Sequence, residues 1–174
     1  MVAEAYNGRD PALTQPDSTM ATEPTPAAQL RTFMAKYSPE VAKEARAVLK
    51  WMRKRLPGAV ELVYDNYNWL VIGFGPSERA SEAPFSIVLA PRWVTLCFLH
   101  GARLPDPEKL LQGGGKQVRN IRLLEGVATL EQPAVRKLID TAVERAAVQF
   151  DPTVRNRMVV RAVLAKQRPR RPKS

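Results

Sequence analysis

RWVTLCFLHGARLPDPEKLLQGGGKQVRNIRLL, residues 92–124, carries the pieces of a small α+β unit in one short stretch. Its opening WVTLCFL is aromatic, β-branched and apolar in the manner of a strand. The following glycine and prolines make a turn, and 107–111 reads as a short helix. Gly113, Gly114 and Gly115 then form a loop that leads into another strand near 117–124. A chain that passes from strand to helix to strand this quickly must build its sheet with short connections.

Outward from that stretch, three more strands are expected at 60–65, 69–74 and 85–90, ahead of the one at 93–99. The three-residue connection Ala90, Pro91, Arg92 suits a hairpin, whereas GPSERASEAP is a longer polar loop expected to be mobile. Upstream, Leu30, Phe33, Met34 and Tyr37 mark one amphipathic helix. Ser38 as N-cap and Pro39 at the first helical position open a second, with Val41, Ala45, Val48, Leu49, Met52 and Leu56 as its apolar stripe. Downstream, Val135, Leu138, Ile139, Ala142 and Val143 give a helix that starts near Pro133. Asp151 and Pro152 look like the cap and first turn of one more helix.

The predicted architecture is a two-layer α+β sandwich: a five-stranded, mainly antiparallel sheet with N-terminal and C-terminal helices packed on it. Residues 1–28, with four prolines and no apolar period, form a disordered leader; 29–150 form the domain, 151–166 an additional C-terminal helix, and 167–174 a basic disordered tail.

Composition narrows the function classes. The chain of 174 residues is 45% hydrophobic, enough for one core, but its apolar runs fall short of the roughly 18 to 20 residues of a membrane span. Its start lacks the basic and apolar regions of a secretory signal, so a cytoplasmic protein is expected. Net charge is +10, and residues 161–174 hold six basic and no acidic residues. Such a balance suits nucleic acid, acidic protein or anionic metabolites as partners. The lone Cys97 sits in an apolar run and reads as a buried structural thiol.

The segments ELVYDNY (61–67), IGFGP (72–76), LCFLHGARLPDP (96–107) and LLQGGGKQVRNIR (110–122) resemble the YdhG-like family, catalogued as DUF1801, over approximately residues 38–147. The resemblance implies a frataxin-like fold and, from one member regarded as an iron chaperone, a non-catalytic carrier role with iron as a candidate cargo. Frataxin-type iron binding uses an acidic ridge on the first helix. Here that helix carries Glu40 and Glu44 among Lys43, Arg46, Lys50, Arg53, Lys54 and Arg55, so its polar face is net positive.

Candidate binding residues fall in three groups. Tyr64, Tyr67, Trp69 and Trp93 would line a shallow aromatic pocket if the sheet face left bare by the helices includes them. Lys116, Arg119 and Arg122 follow the triple glycine. The spacing is not that of a nucleotide loop, which needs GxxxxGK, then Ser or Thr and a helix, and strand alternation lets only Lys116 and Arg122 converge. Lys50, Arg53, Lys54, Arg168, Arg170 and Arg171 are candidate contacts to nucleic acid or an acidic partner. His100, the only histidine, lies three residues from Cys97 and so on the opposite strand face, which leaves no nucleophile and base pair and no residue assigned a catalytic role. The function expected is a small cytoplasmic binding or carrier domain for a metal or small metabolite; the alternative is an anion-binding or nucleic-acid-binding accessory protein. No cofactor is identified from the residues.

Overall fold

The computed structural model describes residues 22–173. Most of the predicted leader, residues 1–21, and the last residue lie outside the described residues. Helix α1, Pro26–Ala35, begins inside the predicted leader, because Thr25 accepts a hydrogen bond from the Ala28 N–H at 3.2 Å and Pro26 presets the first turn. Helix α2, Pro39–Arg55, starts where the sequence predicts, with the Ser38 hydroxyl accepting from Val41 N–H at 3.3 Å. Both helices lay their apolar stripes on the sheet.

Strands β1 (Val60–Asp65), β2 (Leu70–Gly75), β3 (Phe85–Leu89) and β4 (Val94–Phe98) form the expected antiparallel meander, and β5 (Arg119–Arg122) pairs with β4. Helices α3 (Val127–Glu131) and α4 (Pro133–Glu144) then return across the sheet. The predicted helix at 107–111 is instead a turn in which Asp106 accepts from the Leu110 and Leu111 N–H groups at 2.9 and 2.8 Å. A local carboxylate satisfies those donors, so no helical ladder is needed. Beyond it, Gln112 bridges to Asn120.

The sheet has six strands, in the order β5-β4-β3-β2-β1-β6. The sixth corrects the sequence reading: 151–166 holds no helix, and β6 (Arg157–Val163) lies parallel to β1 at the sheet edge. Asp151 accepts from the Thr153 N–H at 2.9 Å and the Thr153 hydroxyl at 2.6 Å, a closed local turn rather than a helix cap. Asn156 then caps α2 from outside, accepting from Gly58 N–H at 2.7 Å and donating to the Leu56 carbonyl at 3.2 Å. Gly58 is at φ 82, and a Cβ there would meet the Asp151 carbonyl oxygen at 1.9 Å, so glycine is what lets the C-terminal segment cross at this point.

The basic tail is also corrected, because the structure docks it on the domain. Arg170 is 4% exposed and donates to Asp65 Oδ1 at 2.9 Å and to the Asn66 carbonyl. Asp65, itself 0% exposed, also receives Lys36 Nζ at 2.6 Å, and Gln167 bonds both Lys36 and the Asp65 carbonyl. Arg171 donates to the Tyr37 and Ala35 carbonyls at 3.2 and 3.3 Å. A buried carboxylate demands compensation, and the tail supplies it. No helix among the described residues is long and apolar enough to cross a membrane.

Candidate functional site: the open face of the sheet

Strand alternation divides the sheet into two unlike faces. Val63, Ile72, Phe74, Ile87, Leu96 and their neighbours pack into the helices and are buried. The alternate residues look the other way, and in register they make two rows. Tyr64, Val71, Val88, Thr95 and Arg122 are direct partners across β1, β2, β3, β4 and β5. Leu62, Gly73, Ser86, Cys97 and Asn120 form the second. At the ordinary strand spacing the first row is about 19 Å long. Its central members are half-buried, apolar or small, and no helix among the described residues covers them.

The loop predicted to be mobile shapes this face. Residues 76–84 fold back over the second row through a 3₁₀ turn, Ala80–Glu82, and Gly75 makes room for Ala83, whose Cα would lie 3.1 Å from a Cβ at that position. Glu78 ties the loop to β6 by pairing with Arg157 and, at 3.5 Å, with Arg161. These bonds hold the Glu78 carboxyl below its usual range. What remains between loop and sheet is a pit of about 170 Å³ lined by Tyr64, Val71, Ser86, Cys97, Leu99 and Val118, with Ala80 and Ala83 at its lip. That is well under the roughly 300 Å³ at which small-molecule pockets begin. It has the size of one apolar side chain.

The sequence-selected residues divide accordingly. Tyr64 lines the pit. Trp93 lies at the far end of the row, with the Arg122 guanidinium stacked on its ring at 4.0 Å, an arrangement that orients Arg122, which pairs with no acidic side chain among the described residues. Tyr67 and Trp69 are exposed on the β1–β2 turn, outside the pit; Arg168 lies over Tyr67 at 5.6 Å. The four aromatics therefore do not form one pocket. Arg119 donates to the Gly115 and Val118 carbonyls, which fastens the glycine loop, and Lys116 is exposed on that loop ahead of β5. Of the three basic residues after the glycines, Arg122 is the one on the open face.

The nucleic-acid candidates are largely engaged within the molecule. Arg170 and Arg171 are spent on docking the tail, and Arg53 makes a two-bond pair with buried Glu61, both at 2.7 Å. Lys50 and Lys54 stay exposed on α2. Cys97 lies in the pit, where burial pushes its thiol up to about 11 despite the Ser86 hydroxyl; a thiol protonated at neutral pH is not a nucleophile. His100 lies beyond the end of β4, on a different surface.

An iron cargo finds no fitting donor set. Among the described residues no three His, Cys, Asp or Glu side chains gather so as to hold a metal ion. The buried carboxylates Glu61 and Asp65 are neutralised by Arg53, Lys36 and Arg170, and hard ions need free carboxylate oxygens. Leu99 and Val118, which sequence reasoning missed, were visible only as apolar residues; their convergence depends on the register of β4 and β5. No protein-family model, curated protein or solved structure matches the chain.

Proposed function

We propose that this chain is a small cytoplasmic, non-catalytic binding domain of the YdhG-like, frataxin-like type, and that the open sheet face is its binding surface. The partner is an acidic protein segment that inserts one apolar side chain into the pit and sets a carboxylate against Arg122. The observation that carries this reading is the pairing of a side-chain-sized apolar pit with a stacked arginine that has no acidic partner among the described residues, on a face that none of the described helices covers. A pit this small does not enclose a metabolite, and a flat row about 19 Å long matches an extended segment better than a compact ligand. The apolar anchor supplies affinity and the charge supplies orientation.

Selection of random displayed peptides on the full chain tests it. The expected winners combine an apolar anchor with acidic residues and bind Arg122→Glu about tenfold more weakly, a change of ~1.4 kcal/mol. Winners without acidic residues, or with equal affinity for Arg122→Glu, would overturn the reading.

A further inference from the structure

The geometry points to a second binding site, for a small monocarboxylate with an apolar body, in a cleft at the end of β4. The cleft holds about 350 Å³, within the range of small-molecule pockets, and lies between the 3₁₀ turn Gly101–Arg103, residues 81–84 and the end of α4. Its floor is apolar and preformed: Phe98 is fixed edge-on against Phe85, with centroids 5.5 Å apart, and Leu104 and Ala142 close the sides. Three of its polar lining residues are basic, beside Ser81 and the Glu82 carboxylate. Arg103 and Arg145 present guanidinium groups and His100 an imidazole.

One of these groups, Arg145, is held in place by a bond internal to the fold. Arg145 Nη1 donates to the Arg103 carbonyl at 2.8 Å, which anchors the guanidinium across the turn and leaves its other N–H groups available. The turn itself depends on Gly101, since a Cβ there would lie 2.5 Å from Arg119 Cβ. Two acceptors on the lining are engaged by other donors. Glu82 accepts hydrogen bonds from Ser77 and Arg79, and the Ala146 carbonyl near the end of α4 accepts from Gln149 Nε2 at 2.9 Å. A planar carboxylate matches a guanidinium fork, and an aromatic or short aliphatic body matches the floor. A phosphate without an apolar body would leave that floor wet.

The test is a titration of the full chain followed by amide NMR, with benzoate and octanoate as probes and benzyl alcohol as the uncharged control. Both carboxylates are expected to shift residues 98–104 and 142–147 saturably, benzyl alcohol not. Arg103→Gln with Arg145→Gln should weaken benzoate by at least about tenfold. Because Arg145 also braces the turn, Ala146→Leu provides a second variant that fills the cavity and keeps both arginines; it should abolish the shifts while the rest of the spectrum is retained. Equal shifts from benzyl alcohol, no shifts, or shifts that survive both variants would overturn the site. Arg122→Glu should leave benzoate binding unchanged, which separates this inference from the one about the sheet face.

Discussion

Asp65 is the buried charge that ties the C-terminal segment to the domain. It ends β1 with no solvent exposure and is held by Lys36, which follows the last residue of α1, and by Arg170, which lies 105 residues away in the chain. Removing one partner of a buried pair leaves the other charge uncompensated, so Asp65→Ala is expected to cost about 3 to 5 kcal/mol in urea unfolding, more than an exposed pair such as Arg79 with Glu82. A cost below about 1 kcal/mol would mean the network is solvated. Two neutral groups set a second residue-level expectation. Burial raises Cys97 from 9.0 to about 11 and Tyr37 from 10.0 to about 12. Each binds its proton more tightly when folded, so its contribution is complete below its unfolded value and is lost as pH rises towards the folded one. Stability should therefore fall from pH 9 to 12, and Cys97→Ala should flatten the lower part of that fall in a pH series of melting temperatures.

At the scale of elements, periodicity made α2 and the first four strands legible. Val41, Val48, Leu49 and Met52 recur on one helical face, and Ser38 with Pro39 marks the start. Strand β6 was not legible for a local reason: Asp151 followed by Pro152 imitates a helix start, while the β-branched run Val159, Val160, Val163 that argues for a strand is short and half exposed. Composition likewise made the tail look free, because counting arginines cannot reveal a buried carboxylate brought near only by folding. Removal of residues 167–174 is accordingly expected to lower the melting temperature measurably, as Asp65 loses Arg170 and keeps only Lys36. An unchanged melting curve would mean that the docked tail contributes nothing.

On the scale of the whole molecule, helices occupy one face of the sheet and leave the other to a folded-back loop and a row of small apolar residues. The sequence offered Tyr64, Trp93 and Arg122 as site residues. It could not show that Tyr64 and Arg122 stand in one register row, nor that the 76–84 loop and Leu99 turn part of the face into a pit, because both follow from strand pairing. Amide NMR of the full chain, titrated with an apolar-anchored acidic peptide taken from the selection, tests the central claim most directly. Saturable shifts are expected along Tyr64, Val71, Val88, Thr95 and Arg122, with α2 unperturbed; shifts confined to the basic face of α2, at Lys50 and Lys54, would contradict binding at the open sheet face.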